Sequence, residues 1–91
     1  MEAGNYKDAI SLLEKSLKMN KQVLGEEHIS NCNIYTVMAH VYTKLKDYEN
    51  AITNLASVWE IAEAKYGRKC EEVGKVYLEL AKVYLKKKDF N

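Results

Sequence analysis

The side chains best suited to metal binding or nucleophilic chemistry are two cysteines and two histidines, and they are widely spaced. His28 and Cys32 stand four residues apart, within reach of each other on one helix face. Cys70 lies far along the chain, and no C-x-x-C pair occurs. A structural zinc site normally has four close ligands, and a nucleophilic cysteine requires a base and an oxyanion hole. We therefore predict no metal site, and we assign His28 to a turn and Cys32 to a half-buried position.

Two acidic pairs and four isolated glycines give equally little evidence of catalysis. Glu26-Glu27 and Glu71-Glu72 stand where helices are predicted to begin, and the helix dipole favours negative side chains there. The glycines form no phosphate-binding loop motif. The sequence thus predicts a protein that is not an enzyme and that needs no cofactor.

Composition narrows the class of protein further. The net charge of +1 over 91 residues lacks the strong basic excess of a general nucleic-acid or acidic-membrane binder. The N-terminal segment lacks the apolar core of a signal peptide, and the longest apolar stretch, around Ile34 to Tyr42, is too short to cross a bilayer. Two distant cysteines favour a reducing compartment. We therefore predict an intracellular, cytoplasmic protein that binds neither nucleic acid nor membrane.

A 42-residue repeat organises the chain. Tyr6, Tyr48 and Phe90 stand 42 positions apart, and Leu24-Gly25 recurs as Tyr66-Gly67 at the same interval. The surrounding segments are also alike, since GNYKDAI matches KDYENAI and AHVYTKLKDY matches AKVYLKKKDF. A fixed period of this length is typical of supersecondary units that stack along one axis.

Apolar residues recur at the spacing of helical turns in four segments. The pattern predicts helices over residues 5–24 and 69–88, and an antiparallel pair within residues 28–66 that is joined by a tight turn at Lys46-Asp47. Gly25 is predicted to end the first helix in a left-handed conformation, and the third helix is predicted to end at Gly67. The apolar stripes are Tyr6, Ala9, Ile10, Leu13 and Leu17; Tyr35, Met38, Ala39, Tyr42 and Leu45; Tyr48, Ala51, Ile52, Leu55, Trp59, Ala62 and Tyr66; and Val73, Val76, Tyr77, Leu80, Ala81 and Tyr84.

Local signals refine the ends and the packing of these helices. Asn5 and Asp47 are predicted to cap the first and third helices, and Asp89-Phe90 is predicted to open a further turn. Gly74 lies inside the fourth helix. Because a mid-helix glycine costs about 1 kcal/mol relative to alanine, it predicts close contact with a neighbouring helix. Most of the tyrosines fall on stripe positions and are predicted to be buried.

The repeat resembles the tetratricopeptide repeat. Ala39 and Ala81 match the small residue at which the two helices of such a repeat cross, and Gly4, Tyr6 and Ala9 match its Gly-x-Tyr-x-x-Ala turn. The period is longer than the common one of about 34 residues, and it resembles the repeats of kinesin light chains and related scaffold proteins.

Three departures from the family pattern are present. Ile29 stands in place of the usual proline, Lys46 and Lys88 stand in place of the turn glycine, and Val58 takes a position that is commonly alanine. The resemblance implies an all-α fold of antiparallel helix pairs in a right-handed α-solenoid. It also implies a scaffold or adaptor that binds another protein or a peptide.

The resemblance further implies the order of the parts. Residues 5–24 correspond to the second helix of one repeat, residues 28–66 to a complete pair, and residues 69–88 to the first helix of the next repeat. Both end helices should then expose apolar residues that adjacent repeats would cover. This predicts a fragment of a longer array, or a homo-oligomer formed through the end helices. A structural spacer or assembly element, cytoskeletal or ciliary, is the alternative to a peptide-binding adaptor.

In proteins of this family the first helices line a concave groove. The implied partner-binding residues are Asn33, Thr36, Val37, His40, Thr43 and Lys44 in one unit, and Lys75, Leu78, Glu79, Lys82, Leu85 and Lys86 in the next. Lysines interspersed with apolar side chains favour an acidic peptide that carries an apolar anchor. The competing interpretation is an ordinary solvated lysine face.

The lysine–asparagine clamp by which chaperone-tail binders of this family hold a terminal carboxylate is not matched. Thr36 with His40, and Leu78 with Lys82, occupy the corresponding positions.

Overall fold

Four α-helices follow one another in a computed structural model that describes residues 3–67 and 71–90. They are α1 (Ala3–Leu24), α2 (Asn31–Lys44), α3 (Tyr48–Tyr66) and α4 (Glu71–Phe90). The most extensive contact joins α2 to α3, followed by the contacts of α3 with α4 and of α1 with α2. The described part of the chain contains no strand and no helix long and apolar enough to cross a membrane. The predicted all-α helical repeat fold is confirmed.

Two glycines end α1 and α3, as predicted. Gly25 adopts a φ of +104° and Gly67 a φ of +86°. Each backbone N–H donates to a carbonyl in the last turn of its helix, Gly25 to Lys21 at 3.0 Å and Gly67 to Glu63 at 2.8 Å. Glycine accepts this left-handed geometry without the steric cost that a Cβ imposes. The backbone can therefore change direction directly after each helix and lead into the next one.

The turn between α2 and α3 is made by Lys46 and Asp47. Lys46 is the one non-glycine residue with positive φ (63°) among those described. The Asp47 carboxylate accepts from the backbone N–H of Asn50 at 3.4 Å and from its side-chain amide at 2.7 Å. The predicted Asp47 cap is confirmed, and it fixes the start of α3 directly after α2 ends.

Asn31 joins the α1–α2 loop to the helices on either side. Its side chain is fully buried, and its amide donates to the carbonyls of Gly25 (3.1 Å) and Glu26 (3.0 Å). Its oxygen accepts from the amide of Asn20 at 3.1 Å. These bonds hold residues 25–30 in a turn, so α2 begins at Asn31 and not at residue 28 or 29 as the sequence had indicated.

Two clusters of buried side chains form the core. The first comprises Tyr35, Val58, Ile61 and Val76, and the second comprises Ala39, Ala51, Leu55 and Val83. Each cluster draws on α2, α3 and α4 at once. Val58 and Ile61 lie beside the predicted stripe of α3 because this helix contacts helices on two sides and therefore buries a wider face than one stripe. Val83 lies beside the predicted stripe of α4 and is buried against Ala51 and Leu55 of α3.

Several predictions at the helix ends are wrong. Gly4 and Asn5 lie within α1, which begins at Ala3, so they form neither a turn nor a cap. At the other end, α4 continues through Asp89 to Phe90 and does not turn after residue 88. The turn after α2 is stabilised because α3 follows it and packs back on α2. Among the described residues, no helix follows α4 and packs back on it in the same way. The predicted start at residue 69 lies outside the described residues.

The predicted burial also fails on α4. Gly74 has no neighbouring atom within 4 Å of an added Cβ position, so it makes no close helix contact. Tyr66, Tyr77 and Tyr84 are exposed, and Tyr35 is the only tyrosine in the buried core of the described residues. α4 buries Val73, Val76 and Val83 against its neighbours and leaves its aromatic face open.

We expect Asn31→Ala to lower the free energy of unfolding by about 1–3 kcal/mol, because a fully buried amide is removed and the carbonyls of Gly25 and Glu26 lose their donor. Urea unfolding followed by circular dichroism measures this change. Asn33→Ala is the matched control on the same helix, since Asn33 is exposed and should shift the free energy by less than about 0.5 kcal/mol. Equal effects of the two substitutions would contradict the role given to Asn31.

We expect Ala51→Leu to destabilise the fold by about 1–3 kcal/mol, because the side chain at 51 has no free space at the crossing of α2 and α3. Thermal and urea unfolding would register the loss. Ala64→Leu, on the exposed side of α3, is the control and should be close to neutral. A neutral Ala51→Leu variant would show that the helices do not meet closely there.

Candidate functional site

A groove runs between α2 and α4, with α3 beneath it. It contains two cavities, one of about 580 Å³ and one of about 490 Å³. Both are open to solvent on one side. We call this surface the α2–α4 groove, and we refer to the larger cavity as the apolar cavity and to the smaller as the basic cavity.

The apolar cavity has a floor supplied by α3. Leu55, Val58 and Ala62 form that floor. The remaining lining residues are Ile29, Ser30, Cys32, Asn33, Thr36, Tyr66, Lys75, Val76 and Glu79. Its polar groups lie at the rim, where Thr36 donates its hydroxyl to the carbonyl of Cys32 at 2.8 Å and is thereby held in one rotamer. An apolar floor with a polar rim is the usual form of a site that takes an apolar side chain.

The basic cavity lies one to two helical turns further along the groove. Its charged and polar lining comes from α2 and α4 together, and Val83 and Leu85 complete it. The full set is His40, Thr43, Lys44, Glu79, Lys82, Val83, Leu85 and Lys86. Three lysines against a single carboxylate give this cavity a positive potential.

One pair of side chains bridges the groove between the cavities. The Nε2 atom of His40 lies 3.1 Å from Oε2 of Glu79, and the other carboxylate oxygen lies 3.6 Å from the Lys82 ammonium. Glu79 lines both cavities. The bridge therefore joins α2 to α4 and separates the apolar part of the groove from the basic part.

The lysines of the groove differ in how far they are already neutralised. Lys75 pairs with Glu71 at 3.6 Å, and Lys82 pairs with Glu79. Lys44 and Lys86 have no ion pair with any residue that the structure describes. Since an exposed internal pair offsets part of the charge of a lysine, Lys44 and Lys86 are the cations most available to a bound anion.

Most of the residues expected from the sequence lie in this groove. Asn33, Thr36 and Lys75 line the apolar cavity, whereas His40, Thr43, Lys44, Lys82, Leu85 and Lys86 line the basic one, and Glu79 lines both. Val37 and Leu78 are exposed and line neither cavity.

The floor of the apolar cavity is not predicted by the sequence. The predicted groove residues lie on α2 and α4 alone, whereas Val58 and Ala62 of α3 reach the base of the cavity. The one sequence feature that could have indicated this floor was Val58, at a position that is commonly alanine in the family. A side chain of that size on a helix shared by two neighbours lies either in the core or under a groove.

Cys32 is half-buried and its thiol faces the carbonyl of Val58, 4.0 Å away. Burial raises the pKa of the Cys32 thiol above its usual value. No cluster of three or more potential metal ligands is present among residues 3–67 and 71–90, and Cys70 lies outside them. The thiol is therefore mainly protonated at neutral pH and poorly suited to attack an electrophile.

The raised pKa predicts slow alkylation of Cys32. In a Cys70→Ser background, we expect iodoacetamide to react more slowly with the folded chain than with the urea-unfolded chain. The alkylation rate should also begin to rise at a higher pH in the folded chain than in the unfolded chain, because the folded chain holds less thiolate at any given pH. Mass spectrometry of quenched samples follows the reaction. Equal rates and equal midpoints would exclude burial of the thiol.

Comparison with known proteins agrees with the arrangement of helices. Two family models, both described as tetratricopeptide repeat, match the chain, one over residues 1–30 and the other over residues 31–91. No curated protein matches the sequence. The repeats of this family generally mediate protein–protein interaction. The chain has a 42-residue period and paired helices, and the two family models together cover its whole length. It therefore belongs to the tetratricopeptide repeat family.

Proposed function

We propose that this protein is an interaction module that holds an acidic peptide with an apolar anchor in its α2–α4 groove. The observation that carries the proposal is the adjacency of an apolar cavity and a basic cavity in one groove. A peptide segment can place one apolar side chain in the first while its carboxylates lie in the second.

The apolar cavity would supply most of the binding free energy. Burial of one leucine or phenylalanine side chain contributes about 1.5–3 kcal/mol. Leu55 and Val58 belong to the core clusters and Ala62 is 2% exposed, so the floor is formed before a peptide arrives. A preformed floor reduces the entropy that binding must overcome.

The basic cavity would supply selectivity and orientation. Lys44 and Lys86 lie on opposite walls, so a carboxylate between them meets a positive charge from both α2 and α4. Because these charges are exposed, each contact contributes only about 0.2–1 kcal/mol and weakens as salt is added. Complementary charge of this kind mainly raises the association rate and disfavours basic peptides.

The proposal can be tested with three fluorescein-labelled ten-residue peptides and fluorescence anisotropy. One carries a central leucine among aspartates and glutamates, the second has serine in place of the leucine, and the third has lysines in place of the acids. We expect the first peptide to bind best, and Lys44→Glu with Lys86→Glu to weaken it at least tenfold. Lys15→Glu with Lys18→Glu, at two exposed positions on α1, is the control with the same charge change and should leave the affinity within twofold.

The apolar cavity is tested separately by Asn33→Trp. Asn33 is exposed at the cavity rim, so an indole there obstructs the cavity without entering the core. We expect loss of the preference for leucine over serine, while the preference for acidic over basic peptides remains. No binding of the acidic leucine peptide, or equal loss in the α1 control variant, would refute the groove as the binding site.

A further inference from the structure

α4 carries an apolar face that nothing in the described part of the chain covers. Tyr77 and Tyr84 are each 54% exposed, and Ala81 between them is exposed as well. The hydroxyl of Tyr77 accepts from the indole N–H of Trp59 at 3.0 Å, which fixes that ring while leaving its outer face open. We call Tyr77, Ala81 and Tyr84 the α4 face.

The same three positions one repeat earlier are covered. Tyr35, Ala39 and Tyr42 precede the α4 face by 42 residues. Tyr35 is 9% exposed and Ala39 is 0% exposed, and Tyr42 packs against the second core cluster. The α4 face therefore has the chemistry of a core surface, but no helix among the described residues covers it.

α3 is the helix that covers these positions on α2. Ala51 lies against Ala39 in the second cluster, and Val58 and Ile61 lie against Tyr35 in the first. The small side chains at 39 and 51 let the two backbones approach closely, and the aromatic rings fill the space on either side. A cover for the α4 face must present a similar set of residues.

α1 presents such a set. Tyr6, Ala9 and Leu13 stand 42 residues before Tyr48, Ala51 and Leu55 of α3. Ala9 is only half-buried, whereas Ala51 is 0% exposed. Met19 is 66% exposed, whereas the corresponding Ile61 is 6% exposed. Leu12 and Val23 continue the exposed apolar surface along the same side of the helix. We call this surface the α1 face.

We propose that copies of this chain associate head to tail, with the α1 face of one copy covering the α4 face of the next. In that contact Ala9 of one copy meets Ala81 of the other, in the arrangement that Ala51 and Ala39 adopt within one chain. The two faces are different surfaces of the same chain, so the contact is heterologous, and the copy at each end of an assembly retains one free face. Copies can then add in a row beyond the dimer.

The contact is expected to be small. One helix on one helix lies at the lower end of specific interfaces, below about 1,200 Å² of total buried area, where weak and transient complexes are found. We therefore expect weak association that is reversible on dilution. The α2–α4 groove lies outside both faces, so this inference is independent of the proposed peptide binding.

Sedimentation velocity of the 91-residue chain, from about 10 µM to 1 mM, tests the proposal. We expect the mass to rise with concentration past that of a dimer. Met19→Glu blocks the α1 face and Ala81→Glu blocks the α4 face, and each variant alone should be monomeric. Both positions are exposed, so circular dichroism should show that both variants fold. Val37→Glu, an exposed apolar position on α2, is the control and should assemble as the native chain does.

An equimolar mixture of the two variants gives the decisive result. Met19→Glu retains an intact α4 face and Ala81→Glu retains an intact α1 face, so the mixture should form one contact and stop at a dimer. A native chain that stays monomeric at 1 mM would overturn the proposal. A dimer that survives one of the two substitutions would also overturn it, since this would mean that like faces pair. An equal effect of Val37→Glu on assembly would overturn it as well.

Discussion

The close approach of α2 and α3 at Ala39 and Ala51 is the contact on which the rest of the structure depends. Neither side chain retains any exposed surface. Because both are small, the two backbones can come near enough for Tyr42, Tyr48 and Leu55 to pack around the crossing. A larger residue at either position would separate the helices and open the second core cluster to water.

That contact also determines the form of the groove. With α3 held close to α2, Val76 and Val83 of α4 pack into the same two clusters that join these helices. α2 and α4 are then held side by side above a common helix, and the space between them becomes a groove whose floor is apolar. The His40–Glu79 bridge crosses that space at the surface and divides it into two cavities of different polarity.

Much of this arrangement follows from local sequence. The left-handed Gly25 after α1, the end of α3 at Gly67 and the Asp47 cap were predicted correctly, because each depends on the backbone preferences of one or two residues. The groove residues on α2 and α4 were also identified, although the floor that α3 supplies was not. Burial on α4 was mispredicted, since Tyr77 and Val83 are both apolar and only the position of α3 decides which of them is covered.

The sequence by itself determined the number of helices, the turns between them and the period at which equivalent residues return. These features depend on helical spacing and on short-range steric preference, both of which are encoded within a few residues. Only the tertiary structure decided which apolar side chains are core and which remain open. Among the described residues, α3 packs on both α2 and α4, whereas α4 packs mainly on α3, and that difference comes from distant parts of the chain brought together in space.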